Sequence, residues 1–470
     1  MHENIINPLG SERIGKLILK FSGPAIVSML VGSLYNIVDQ IFIGQGVGLL
    51  GNAATNVAFP LSTICTAIAL LIGIGGASNF NLAMGAKKEE RARHIIGNSI
   101  SLMILASIVV MVIVLVFLKP LMILFGATER VMPYALTYTG ITALGIPFLI
   151  VSIAGGHLIR ADRSPMIAML FVLIGAIINT ILDPLFIFTF DMGIAGGAWA
   201  TVIGQVVSGS LVMWYLLHYK SIKIEKEDFV PKLEYTKMIT ALGAASSFNQ
   251  LAITAVQITM NQVLTYYGGL SIYGSEIPLA VVGIVSKVNI VFLSIVIGIA
   301  QGCQPIVGFN YGAKKYARVK QTYRIAATSA TIVAVIAFAC FQLFPDNIIR
   351  VFGDGSLEYY RFGEKYLRFF MFCTFINGLQ PVTSNFFTSI GKASRGIFMS
   401  LTRQVIFLLP LIIIFPMIFG IEGVIYAGPI ADGAAAILAI TFVIKEMKEI
   451  NYLMDYVPKT KTDEPTITTK

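Results

Sequence analysis

Twelve stretches of mostly apolar residues recur along the chain, separated by polar intervals. They fall near 21–43, 53–83, 95–118, 133–156, 166–189 and 193–217, then near 238–267, 278–305, 322–343, 369–388, 397–419 and 421–444. A helix needs about 20 apolar residues to cross the hydrocarbon core of a bilayer. Each stretch therefore predicts one membrane-spanning helix, and an even number of crossings puts both termini on the same side.

The interval 218–237, HYKSIKIEKEDFVPKLEYTK, is the longest charged stretch between the first and last spans and divides them six and six. On either side of it the same punctuation returns. Gly85-Ala86-Lys87-Lys88 after the second span matches Gly312-Ala313-Lys314-Lys315 after the eighth, an offset of 227 residues, and at that offset Gly193-Ile194-Ala195-Gly196 corresponds to Gly420-Ile421-Glu422-Gly423. Six crossings per repeat preserve orientation, so the halves are expected to be related by an axis along the membrane normal. The pattern predicts an all-α integral membrane protein with 12 transmembrane helices in two pseudo-symmetric six-helix bundles around a central cleft. The expected division is an N-terminal bundle over 1–217, a linker over 218–237, a C-terminal bundle over 238–445 and a tail over 446–470.

Composition agrees with this reading, since 56% of residues are hydrophobic and only 13% charged, where a soluble domain carries roughly a quarter charged residues. Lys and Arg collect in cytoplasmic loops. Of the 34 present, 27 lie in the terminal segments and the loops on their side, 6 in the opposite loops, and Lys287 inside a span. Both termini are thus expected to be cytoplasmic, in a cell membrane. The net charge of +9 sits in short loops beside spans, where anionic lipid attracts it, so nucleic acid is not an expected partner. The first twenty residues include Glu3, Glu12, Arg13, Lys16 and Lys20, which does not suit a cleavable signal. Cys65, Cys303, Cys340 and Cys373 are scattered without metal or redox spacing and read as free thiols in helix packing.

A carboxylate at the centre of a bilayer costs at least about 2.5 kcal/mol, so intramembrane acids usually face a cavity or a partner. Asp39 and Asp183 lie at similar depth near the ends of spans one and five. Helical spacing adds Ser28, Gly32, Tyr35 and Asn36 on span one, Gly175 and Asn179 on span five, and Gly197, Thr201, Gln205 and Ser208 on span six. Two carboxylates beside an amide, a phenol and a hydroxyl suit a proton or Na⁺, because hard cations take oxygen ligands and neighbouring carboxylates titrate as a unit. The matching spans seven and eleven hold no Asp or Glu over 238–267 and 397–419. That asymmetry points to one half carrying the coupling ion. In the other half, Gln250, Thr254, Gln257 and Asn261 on span seven and Asn377, Gln380, Ser384 and Thr388 on span ten form neutral stripes. Asn36, Gln250, Gln257, Lys287 and Asn377 are candidates for the substrate cleft. Lys287 and Asp432 are both deep within spans, and an ion pair between them or a charge that answers the substrate's both fit the sequence.

No glycine loop is followed by a Walker lysine, so ATP is not the expected energy source. No Gly-x-Ser-x-Gly turn or Asp-rich metal motif is present to suggest an enzyme, and a channel fits poorly with a duplicated bundle and an acid site in one half. His94, His157 and His218 fall at cytoplasmic helix ends, where solvated histidines are expected. Pro184, next to Asp183, predicts a kink.

Pro24 and Tyr35 through Asp39, Gly85-Ala86-Lys87-Lys88, the run Asn179 through Pro184, Gly193 through Thr201, and Gln304 through Ala313 together resemble the multidrug and toxic compound extrusion (MATE) transporters over nearly the whole chain. The resemblance implies alternating access between two bundles and export of amphipathic, often cationic, organic compounds in exchange for H⁺ or Na⁺, with no cofactor. It resembles the branch with its cation site in the N-terminal bundle. On that pattern Asp39 and Asp183 are the coupling carboxylates, Asn179 and Thr201 the neighbouring ligands, and Tyr35 lies one turn below Asp39, so that Na⁺, if used, would sit at Asp39, Asn179, Asp183 and Thr201. Small organic molecules and membrane lipid are the expected partners of a monomer. The alternative within the same superfamily is a flippase or exporter of a lipid-linked precursor, whose cleft should be strongly cationic to hold pyrophosphate.

Overall fold

The computed structural model describes residues 7–351 and 356–456. Its spans are α1 (Ile14–Gly46), α2 (Leu49–Gly85), α3 (Glu89–Val116), α4 (Met132–Ala161), α5 (Pro165–Pro184), α6 (Gly193–Leu217), α7 (Leu233–Gly269), α8 (Glu276–Gly312), α9 (Tyr316–Leu343), a broken α10 within 357–389, α11 (Ala393–Phe419) and α12 (Ile421–Tyr456). No strand occurs among the described residues. Eleven of these helices are long and apolar enough to cross a membrane. The twelfth crossing, α10, is assembled from Leu357–Lys365, Tyr366–Phe370, Thr374–Asn377 and Leu379–Ser389. A single helix was expected over 369–388; instead the chain turns at 371–373, where the Thr374 hydroxyl donates to the Met371 carbonyl at 2.7 Å.

The helices outrun the apolar stretches that announce them. α7 and α8 are 37 residues each, about 55 Å at 1.5 Å per residue, because helical hydrogen bonding continues after the apolar run ends. α12 likewise extends into the predicted tail as far as Tyr456; residues 457–470 of that tail and 1–6 of the N-terminal segment lie outside the described residues. Pro184 ends α5 and is followed by a π turn at Leu185–Thr189, the local adjustment expected where proline withholds a backbone donor.

The duplication is visible in the backbone. Lys87 and Lys314, 227 residues apart, both have positive φ (57° and 58°), as do Gly193 and Gly420 (54° and 60°). Between α6 and α7 a short 3₁₀ turn, Lys226–Phe229, is tied to α3: buried Asp228 meets His94 Nδ1 at 2.7 Å and Arg93 Nε at 3.0 Å, and the Ser101 hydroxyl donates to the Phe229 carbonyl at 2.6 Å. His94 is therefore an anchored side chain and not the solvated one expected. His157 departs further from expectation, being 3% exposed beside Arg160 at 5%; of the three, only His218 is exposed. Cys65 and Cys303 are buried and Cys373 half-buried, as packing thiols should be, whereas Cys340 is exposed. All four are free.

The halves meet along a seam at the end carrying the basic turns 86–88 and 313–315, the basic end. A Cβ on Gly85 would lie 2.0 Å from the Phe309 carbonyl oxygen, and one on Gly312 2.2 Å from that of Leu82. The repeated Gly-Ala-Lys-Lys turns thus begin where α2 and α8 cross backbone to backbone. α2 packs equally close on α7, where Gly243 faces the Leu71 carbonyl at 1.7 Å on the same measure. The Asn79 amide donates to the Met238 carbonyl (2.9 Å) and the Gln304 amide to the Ser78 hydroxyl (2.6 Å) across the seam. Arg160 reaches Gln301 Oε1 at 3.5 Å.

Within the C-terminal half, Asp432 on α12 pairs with Arg403 Nε and accepts from the Asn377 amide at 3.4 Å. This answers the question left by sequence: Asp432 does not pair with Lys287, whose side chain is exposed and makes no ion pair among the described residues. Arg403, expected among the basic residues of the cytoplasmic loops, sits in the π turn Thr402–Leu408 with its side chain 11% exposed. Breaking a buried pair leaves an uncompensated charge, so Arg403→Leu should destabilise the protein by about 3–5 kcal/mol in thermal unfolding in detergent. Gly243→Ala should cost about 1–3 kcal/mol through overpacking, while Gly269→Ala, with no atom within 4 Å of the added Cβ, should leave the midpoint unchanged.

Candidate functional site

Three helices of the N-terminal half converge because small residues let them. Gly175 on α5 and Gly204 on α6 approach each other's carbonyl oxygens, at 2.9 and 2.8 Å from their ideal Cβ positions, and Gly197 on α6 is covered by Ile43 of α1 at 3.0 Å. Gly46, at the end of α1, abuts Ile187 in the π turn after Pro184. This packing brings Asp39, Asn179, Asp183 and Thr201 together.

Asp39 is 8% exposed, Asp183 fully buried and Asn179 3% exposed. The Asn179 amide donates to Asp183 Oδ1 at 3.3 Å and lies 3.4 Å from Thr201 Oγ1. Asp39 and Asp183 are neighbours, side chain to side chain, and two adjacent carboxyls are held at lower cost with a proton or cation between them. Asp39 Oδ1, Asp183 Oδ2 and Asn179 Oδ1 are otherwise buried without a partner. Buried acceptors of this kind call for a proton or a cation. Tyr35, half-buried on α1, is close enough to feel the charge of both carboxylates.

Tyr138 of α4 completes the cluster. It lies near Asp39, Asp183, Tyr35 and Thr201. No local sequence pattern marks it, since a lone tyrosine in a span gives no sign of which helices it will meet. Gln205, on the Thr201 stripe, turns a buried and unpartnered Oε1 toward Gly145 of α4.

The cleft candidates separate into two groups. On each seam helix, the face that packs at the basic end can be followed outward by helical phase, since positions 3, 4 and 7 apart share a face. On α7 the Gly243 face continues through Gln250, half-buried, and Gln257 and Asn261, both exposed. On α1 it passes from Ser22 and Ile26 through Ser33 to exposed Asn36, whose amide donates back to the Gly32 carbonyl at 2.7 Å. On α8 it runs from Gly302 and Gly298 through Ser294, whose hydroxyl is 3.1 Å from that of Ser33, to exposed Lys287. These faces touch the opposite half near the basic end and stand open beyond it, so a wedge-shaped space separates the halves away from that end. Asn36, Gln250, Gln257 and Lys287 lie on these outward continuations of the seam faces. Asn377 does not, because it is 5% exposed and bound to Asp432 inside the C-terminal half.

Comparison with known proteins agrees with this architecture. "Multidrug export protein MepA" of Staphylococcus aureus (strain MSSA476) is 22% identical over 429 residues, covering 91% of this chain and 93% of the relative, and its namesake in Staphylococcus haemolyticus (strain JCSC1435) is 22% identical over 435 residues, covering 92% and 93%. Among solved structures, a MATE in complex with MaD3S superposes with a TM-score of 0.86 at 24% identity, over 95% of this chain and 98% of that one. An outward-facing multidrug resistance MATE family transporter of the MOP superfamily gives 0.86 at 24%, over 96% and 98%. The model of the MatE family matches residues 24–185 and 239–414, one block in each half. Matched in both halves, the chain belongs to the MatE family of multi-pass membrane transporters.

Proposed function

We propose that this protein is a secondary active efflux antiporter of the cell membrane, exporting amphipathic, often cationic, organic compounds in exchange for H⁺ or Na⁺. The observation that carries the proposal is the pair of facing buried carboxyls, Asp39 and Asp183, with unpartnered oxygens of their own and of Asn179 beside them. Membrane proteins bury ionisable groups at this depth along ion and proton paths. The relatives named for multidrug export support the cargo class.

The positive-inside distribution supports placing the basic end and both termini in the cytoplasm. The conformation is then outward-open, closed by the glycine seam. In the proposed cycle H⁺ or Na⁺ from outside occupies the Asp39/Asp183 cluster, the open state loses affinity for its cargo, and the emptied protein returns to the inward-facing state. The π turn after Pro184 gives α5 a bend one residue from the carboxylate it carries. Each elementary charge crossing the membrane contributes about 2.3 kcal/mol per 100 mV, enough to sustain roughly a 50-fold cargo gradient if fully coupled. A lipid-pyrophosphate cargo would want several free cations in the cleft. Lys287 is exposed and makes no ion pair among the described residues, Arg368 is paired with Glu364, and Arg403 is neutralised by Asp432.

Reconstituted protein should move a fluorescent cationic dye when a pH or Na⁺ gradient is imposed. Asp39→Asn and Asp183→Asn should each lower the gradient-driven rate by at least about tenfold, and Tyr138→Phe, which removes one hydroxyl from the cluster, by about two- to tenfold. Unaltered transport in both aspartate variants would remove the site assignment. A folded native protein that moves no dye under either gradient would remove the antiport reading.

A further inference from the structure

The charge exposed to the cleft is opposite in sign to the charge buried beside it. Only three acids lie deep within spans among the described residues: Asp39 and Asp183 are closed inside the N-terminal half, and Asp432 is tied to Arg403. None stands in the cleft. Lys287 does. It is eleven residues into α8 from Glu276, about 16 Å along the helix. Seven residues further on, Ser294 shares its helical face and touches Ser33 of the opposite half, and Gly298 and Gly302 continue that face against Ile26 and Ser22 of α1. Lys287 therefore occupies the cleft wall of the C-terminal half, opposite the Asn36 region of α1, with no carboxylate among the described residues to pair it. The nearby lining on α7, Gln250, Gln257 and Asn261, supplies neutral amides.

Arg160 repeats the arrangement at the basic end. It is buried in the seam, has no carboxylate partner among the described residues, and is met by Gln301 from the other half at 3.5 Å. Parting the seam removes that cap. One unpaired cation thus faces the space between the halves near each end.

We infer that the cleft recognises amphipathic organic molecules that carry a carboxylate, through an ion pair with Lys287. This inference rests on the transporter reading above and narrows its cargo: the apolar, often cationic body is retained, and an acidic group is added, as in a zwitterion. Lys287 binds the acid from the C-terminal wall while the coupling carboxylates remain behind the N-terminal wall, so cargo charge and coupling charge do not compete for one site.

Rhodamine 123 is the methyl ester of rhodamine 110, and the pair tests the acidic group on a common cationic scaffold. Binding is measured by fluorescence anisotropy with the full chain in phosphatidylcholine nanodiscs, and transport in proteoliposomes under a pH or Na⁺ gradient. The native protein should bind the free acid more tightly than the ester. Lys287→Gln should weaken free-acid binding by about tenfold and ester binding by less than about twofold, and Lys287→Arg should restore the preference, which a purely structural lysine would not show. Equal binding of the two dyes, binding of neither, or a preference unchanged by Lys287→Gln would overturn the inference, whether or not the dyes are transported. Lys287-dependent free-acid binding without gradient-driven movement of either dye would leave the anion site standing and remove the antiport reading instead. In nanodiscs containing phosphatidylglycerol the preference should persist; its loss there would reassign Lys287 to lipid phosphate and overturn the cargo inference.

Discussion

Two carboxyls set face to face in a membrane cannot both be ionised at low cost, and the N-terminal half is organised around that fact. Burial shields them from bulk solvent, and the Asn179 amide reaches only one of their oxygens. A shared proton or a bound cation resolves the conflict; an empty site does not. The glycines that allow α1, α5 and α6 to approach so closely, the π turn after Pro184, and the hydroxyl that Tyr138 brings from α4 all bear on how the pair is held. The C-terminal half answers the same problem differently. There Asp432 has its own permanent cation in Arg403, so that half can bury an acid without exchanging anything with solvent. The duplicated scaffold thus carries one buried acid site with its own cation and one without.

The second constraint is the seam. α2 against α7 and α8 against α1 are repeat-related contacts, and both depend on backbone approaches that leave no room for a Cβ. Close packing at one end with open faces at the other gives the wedge its shape. Because neutral amides and small residues hold most of the seam, parting it exposes polar groups that water can satisfy. The exception is Arg160, a cation held by a single long contact to Gln301.

Much of this was legible in the amino-acid order. Apolar run length predicted every crossing, and the 227-residue offset of the Gly-Ala-Lys-Lys turns predicted a duplication whose backbone signature, a positive φ at Lys87 and Lys314, is present in the fold. Helical spacing drew Asp39, Asn179, Asp183 and Thr201 onto faces that do meet. What escaped was whatever depends on contacts between distant helices. Tyr138 enters the cluster through the placement of α4, which no local pattern reports. Asn377 lay on a polar stripe like that of α7, yet its face turns to Asp432 and away from the cleft. Arg403 lies inside the expected span 397–419, yet no local pattern marks a buried arginine whose charge is cancelled by an acid on another helix. His94 and His157 were misjudged for a related reason: proximity to a helix end says little about exposure where a linker or a second bundle packs over it.

In the proposed cycle, cation occupancy of the Asp39/Asp183 cluster selects which end of the molecule is open. Spin labels at Thr128→Cys and Ile272→Cys, placed beyond the open end of the two halves in a background with the four native cysteines replaced, report that opening by pulsed electron paramagnetic resonance. Lowering the pH or adding Na⁺ should redistribute the inter-label distance in the otherwise native protein and leave it unchanged in the Asp39→Asn/Asp183→Asn double variant. A distance that responds to neither cation in the native background, or that responds equally in the double variant, would contradict it.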